Sequence, residues 1–82
     1  MKYDIIYKKK ALKFIQKQPF NQQKRIIHAI EQLPSGDIVH VAGTDKYRLR
    51  VGDYRIIYHI DNNKLIITVV NAGNRGQIYN QY

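Results

Sequence analysis

Lys46-Tyr47-Arg48-Leu49-Arg50-Val51-Gly52-Asp53-Tyr54-Arg55-Ile56-Ile57-Tyr58-His59-Ile60 is the stretch that decides the fold. Apolar Tyr47, Leu49 and Val51 alternate with Lys46, Arg48 and Arg50, the period of a half-buried strand. Gly52-Asp53 is a two-residue hairpin signal, because glycine tolerates the positive φ that primed turns demand. With those two residues as the loop, Val51 faces Tyr54, Arg50 faces Arg55, Leu49 faces Ile56 and Tyr47 faces Tyr58. Tyr47, Leu49, Val51, Tyr54, Ile56, Tyr58 and Ile60 then share one face. Arg48, Arg50, Arg55, Ile57 and His59 share the other.

Like charges set opposite each other destabilise a sheet. A fold that nevertheless gathers three guanidiniums suits them to an anion, and arginine forks match phosphate geometry. The competing reading is a solvated strand face whose basic residues guard an edge against aggregation.

Working outward, Tyr3 to Tyr7 reads as a first, short strand. From Lys8 the period becomes helical. Ala11, Leu12 and Ile15 recur with Phe14 beside them, while Lys9, Lys10, Lys13 and Lys17 occupy mainly other positions. Pro19 stops this helix, and Asn21 is the expected N-cap of a second one. Ile26, Ile27, Ala29, Ile30 and Leu33 supply its buried stripe, and Pro34-Ser35-Gly36 ends it. So short a connection makes an antiparallel helix hairpin. The lysines of the first helix form a basic face. Individually they serve solubility, and together they suit a phosphate backbone. Ile38 to Val41 reads as either a short strand or an extended connection, and Gly43-Thr44-Asp45 as a turn.

Beyond the central hairpin, Asp61-Asn62-Asn63-Lys64 signals another turn. With Asn62 and Asn63 as its loop, Ile60 faces Leu65, Tyr58 faces Ile67 and Ile56 faces Val69. Ile66, Thr68 and Val70 then join the arginine face, leaving an apolar strip that the chain's tail or a partner would cover. Asn71 to Gly76 leaves the last strand through a glycine-rich turn, and the short tail returns Arg75 and Tyr79 toward the arginines. No carboxylate is expected on their face. His28, His40 and His59 show no metal-ligand spacing. His59 shares the parity of Arg55 but stands ~13 Å along the strand, too far to act beside it.

The 82 residues make one domain, 1–82, with 44% apolar residues and no cysteine. Disulfides, thiolate metal sites and cysteine nucleophiles are therefore excluded. No apolar run approaches the ~18 residues of a membrane span, and Ile5-Ile6-Tyr7 gives way at once to lysines, so neither membrane insertion nor a secretory leader is expected. Fourteen basic against 6 acidic residues give a net charge of +8. Such a field steers a small protein toward polyanions: nucleic acid, ribosome, acidic protein or anionic membrane. Paired carboxylates, a Ser/His/Asp signature and phosphate-binding glycine loops are absent.

The run Tyr47-Arg48-Leu49-Arg50-Val51-Gly52-Asp53-Tyr54-Arg55-Ile56-Ile57-Tyr58, with Gly73-Asn74-Arg75 and Ile78-Tyr79 downstream, resembles the RelE/ParE toxin superfamily, and its RelE branch more than its ParE branch. The resemblance spans nearly the whole chain in element order. It implies an α+β fold: an N-terminal strand, an antiparallel helix hairpin and a three-stranded antiparallel meander, similar to microbial ribonucleases. It implies a type II toxin that cuts messenger RNA in the ribosomal A site without metal or cofactor, in the cytoplasm, and that an antitoxin wraps and silences in a hetero-oligomer. By position, Arg55 would bind the scissile phosphate, Arg75 would act as acid or transition-state clamp, and Tyr79 would stack on a base. Arg50 would stabilise charge. Arg48, Lys46, Lys9, Lys10 and Lys13 would hold RNA. The best-studied members carry lysine at the positions of Arg48 and Arg50. Arginine stays protonated, so here these residues steady charge and do not accept a proton. Two other readings stay open: a ParE-like toxin that binds DNA gyrase without cutting RNA, and an RNA- or antitoxin-binding module with a weakened site.

Overall fold

The computed structural model describes residues 2–78. Strand β1 (Asp4–Tyr7) leads into helices α1 (Lys9–Gln16) and α2 (Phe20–Glu31). Strands β2 (Ile38–His40), β3 (Tyr47–Val51), β4 (Tyr54–Asp61) and β5 (Ile66–Asn74) follow, and a single turn of helix, α3 (Arg75–Ile78), ends the described chain. The strands form one sheet in the order β1-β5-β4-β3-β2. β1 runs parallel to β5, and every other pairing is antiparallel. The α+β class, the helix hairpin and the meander thus match the sequence reading. Ile38–His40 resolves as a strand, and the meander gains this fourth member.

The helices cover one face. Ala11 and Ile15 of α1, Ile26 and Ile30 of α2, and Leu49, Ile56, Tyr58, Ile67 and Val69 of the sheet are at most 1% exposed and form one cluster. Each buried Ile or Leu contributes roughly 1.5–3 kcal/mol relative to exposure. Two local expectations fail. Helix α2 starts at Phe20 with Pro19 as its cap, not at Asn21. The Pro19 carbonyl accepts from the N–H groups of Gln22 and Gln23, and proline's fixed φ suits the entry to a helix. The β4–β5 hairpin also has a longer loop, 62–65, so Ile60 pairs with Ile67 and Tyr58 with Val69. The Asp61 carboxylate accepts from the N–H of Asn63 and of Lys64, at 3.0 and 3.1 Å, and Leu65 adopts φ 56°. That side-chain-closed turn holds four residues where an Asn-Asn turn would hold two. A two-residue change in loop length preserves which face each side chain takes.

The phase does change further along. Ile57 pairs with Asn71 while Tyr58 pairs with Val69, so Val70 is an extra residue in β5. This bulge turns Ala72 into the core and sets Asn71 and Gly73 on the arginine face, the re-aiming that bulges perform.

Tyr58 is 1% exposed and stacks on Tyr47 with centroids 5.6 Å apart. Burial first, and the Tyr47 phenol second, push its hydroxyl from 10.0 up to about 12. The unfolded chain therefore loses this proton more readily than the folded one. The stabilising contribution is complete below pH 10.0 and is lost as pH rises toward about 12. Tyr58→Phe should flatten the alkaline fall in urea-denaturation stability over that interval. An identical fall in both proteins would remove Tyr58 as its source.

Candidate nucleic-acid interface

The Gly52-Asp53 turn closes β3 onto β4 as the alternation predicts. Gly52 takes φ +59°, and Arg50 stands opposite Arg55, with Arg48 opposite Ile57. The bulge then places Gly73 opposite Arg55 and Asn71 opposite Ile57. Across the sheet this makes two parallel rows on the face away from the helices. One runs Arg50, Arg55, Gly73, and the other Arg48, Ile57, Asn71. Neighbouring members stand ~5 Å apart, the strand spacing.

Arg55 is 6% exposed. Its guanidinium folds back onto the turn, donating from one terminal nitrogen to the carbonyls of Gly52 (2.6 Å) and Tyr54 (2.8 Å). Arg75 opens α3 with its backbone N–H donating to the Asp53 carbonyl at 2.8 Å, which fastens the end of β5 to the same turn. One two-residue loop thus ties Arg55 and Arg75 together. Ile78 lies against Gly73, where a β-carbon would stand 3.4 Å from its methyl group. The last described turn thereby packs on the Gly73 end of the arginine face, and Ile57 is fully buried.

Arg50 is anchored differently. Its Nε and one terminal nitrogen donate to the two Asp37 carboxylate oxygens at 3.0 and 2.9 Å, and its backbone N–H donates to the Asp37 carbonyl. Ile38 pairs with Leu49, so Asp37 extends that register and stands directly across from Arg50. A carboxylate therefore does share the arginine face, contrary to the sequence reading. It was missed because the reading left Ile38 to Val41 without a register. Arg25 was also missed. Its guanidinium lies 3.0 Å from the position a Gly52 β-carbon would take. Only the fold brings α2 to the hairpin tip, so local sequence carries no signal for it.

The remaining basic residues divide. Lys10 and Lys13, with Lys17, line a cavity of about 330 Å³ beside Asn71–Gly73 and Ile78, at the end of β5 nearest Arg75. Lys9 is exposed on the same helix but does not line it. Lys46 stands four residues from Arg50, ~13 Å along β3, and its ammonium lies 3.3 Å from Asp45, so it stays outside the arginine rows. Tyr79 lies outside the described residues. His40 approaches the Thr44 carbonyl at 2.8 Å and packs edge-on to Tyr47. Among the described residues no group of His, Asp and Glu could hold a metal ion, and no helix is long and apolar enough to cross a membrane.

Residues 5–79 match the family model described as the ParE toxin of the type II toxin–antitoxin system, parDE. The chain belongs to the RelE/ParE superfamily of type II toxins. No curated protein sequence matches it. Among solved structures it is similar to RelE from the archaeal RelE–RelB complex of Pyrococcus horikoshii OT3, at 29% identity and TM-score 0.78, over 94% of this chain and 99% of that one. The RelB–RelE complex of Methanococcus jannaschii gives 26% identity and TM-score 0.70, over 94% and 98%. The isolated Escherichia coli RelE toxin, at 20% identity and TM-score 0.67 over 96% and 93%, shares the fold.

The buried Arg55 contacts have a measurable consequence. Arg55→Ala leaves the Gly52 and Tyr54 carbonyls without this donor and should cost about 1–3 kcal/mol by urea denaturation, the range for a buried acceptor that loses its partner. An unchanged midpoint would show that the side chain does not brace the turn. Gly52→Ala, forced to a positive φ, should cost about 1–2 kcal/mol in the same assay.

Proposed function

We propose that this superfamily member is a RelE-type toxin that cuts messenger RNA on the ribosome. The observation that carries the reading is the cross-strand pair Arg50–Arg55, with Arg75 fastened to the same turn. The reaction suited to such a site is attack of a ribose 2′-hydroxyl on the adjacent phosphate. Its transition state gathers negative charge on the phosphate oxygens, and cations held in place before the reaction stabilise it most. Arg55 is held by the turn's own carbonyls, so its charge is fixed in place before the phosphate arrives. Arg50 and Arg48 extend the positive surface along β3. Arg75 takes the role of transition-state clamp and Tyr79 that of base-stacking residue, both on the strength of the resemblance. Lys9, Lys10 and Lys13 supply a positively charged flank for RNA, while Lys46 serves at most the outer approach.

The chain is further proposed to act in the cytoplasm and to be silenced by its own antitoxin. Two similar RelE structures are complexes with RelB, and a net charge of +8 suits an acidic partner. A second reading has one observation in its favour. The matching family model is described as ParE, which fits a toxin that binds DNA gyrase and leaves RNA intact.

Expression of the chain alone should arrest growth and create new 5′ ends inside codons of translated messages, read by primer extension. Arg55→Ala and Arg75→Ala should each lower cleavage about 10²–10³-fold, the cost of losing one preorganised charge stabiliser, and should relieve the arrest while circular dichroism still reports a folded protein. Full toxicity in both variants would remove the site. DNA-damage markers with intact messages would establish the gyrase reading instead.

A further inference from the structure

Arginine stays protonated, so the arginine rows stabilise charge but leave open which group takes the 2′-hydroxyl proton. We infer that Asp37 is that group, and the inference rests on the nuclease reading above. Asp37 stands across from Arg50, which stands across from Arg55, which stands across from Gly73. One row therefore runs over four strands from a carboxylate, through two guanidiniums, to the residue two before Arg75. Asp37 and Arg55 lie two strand spacings apart, roughly 10 Å between α-carbons. A phosphate seated between Arg50 and Arg55 has Asp37 on one side and the Arg75 end of the row on the other. Displacement at phosphorus places the attacking and leaving oxygens on opposite sides. The row has that polarity, with a proton acceptor at the nucleophile's end and, at the other, the strand that leads into Arg75.

The other candidates are worse placed. Asp53 stands in the turn, beyond the Val51–Tyr54 pair and so off the row. His59 is ~13 Å from Arg55 along β4. Asp61 is occupied by the N–H groups of its own turn, and Asp45 sits beside Lys46. Asp4 and Glu31 lie near the β1 edge, where both residues line a cavity with Tyr3. Asp37 is held side-on by the Arg50 fork, which aims it along the row. A carboxylate has about four acceptor positions and the fork uses two, so a hydroxyl can still donate to it. Its side chain is 56% exposed, open to an incoming ribose.

The step balances without any further reagent. The 2′-hydroxyl proton moves to Asp37 as the 2′-oxygen bonds to phosphorus. The bond from phosphorus to the 5′-oxygen breaks, and that oxygen takes a proton from water. The resulting hydroxide recovers the proton from Asp37. The products are a 2′,3′-cyclic phosphate and a 5′-hydroxyl end, and the carboxylate is restored.

The test compares the unaltered toxin with Asp37→Asn, Asp37→Glu and Arg55→Ala on ribosomes programmed with a message, under single turnover. Asp37→Asn should lower the cleavage rate about 10²–10³-fold, within the range for a general base. Its affinity for the same message carrying a 2′-deoxy scissile ribose should hold or tighten, because an anion has been removed. Asp37→Glu should recover part of the rate. Asp37→Asn cleaving as fast as the unaltered toxin, while Arg55→Ala does not cleave, would overturn the assignment and leave the nuclease reading intact. A rate loss fully explained by weaker binding of the deoxy message would make Asp37 a structural brace for Arg50 and would equally overturn it. No cleavage by the unaltered toxin would end the nuclease reading and this inference together.

Discussion

The architecture of the arginine face depends on one constraint: a two-residue loop at Gly52-Asp53 leaves β3 and β4 no freedom of register. Val51 must meet Tyr54, and Arg50 must meet Arg55. A slip of β4 by one residue would send Ile56 and Tyr58 to solvent and Arg55 to the core face. The apolar cluster beneath the helices therefore enforces the placement of charge on the opposite surface. Burial worth roughly 1.5–3 kcal/mol for each of several large side chains together outweighs a like-charge repulsion on the order of 4 kcal/mol for a close pair near the protein surface. The core holds the cations where they would not assemble unaided.

The fold softens that repulsion locally. The Arg55 guanidinium is held by the carbonyls of its own hairpin, and that of Arg50 by Asp37, on the β2 side. The two guanidiniums are held by oxygen acceptors of different kinds, a carboxylate for Arg50 and two backbone carbonyls for Arg55.

The parts of this structure legible in sequence were those set by short-range pattern. Alternation in Tyr47–Val51 and Tyr54–Ile60, the Gly52-Asp53 turn and the helical spacing of Ala11, Ile15, Ile26 and Ile30 all lead to the observed elements. What stayed hidden depended on one residue's worth of phase. Nothing in Ile66-Ile67-Thr68-Val69-Val70 distinguishes a regular strand from one bulged at Val70, because five β-forming side chains in a row carry no alternation to break. Yet that bulge puts Gly73, rather than Ala72, beside Arg55. Asp37 was hidden for a related reason. A three-residue strand is too short to declare its own register, so its opposite number became visible only when Ile38 was paired with Leu49.

The parallel pairing of β1 with β5 has a consequence in time. Asp4 to Tyr7 must wait for Ile66 to Val69 before it has a neighbour, and the Tyr3 hydroxyl waits for Asn62. Contacts this far apart along a chain form late and slowly. The helix pair emerges from synthesis with its apolar stripe lacking most of the sheet it packs on, and the arginine-bearing strands precede the one that anchors their far side. The toxin would thus complete its arginine face only once nearly all of its own chain has been made.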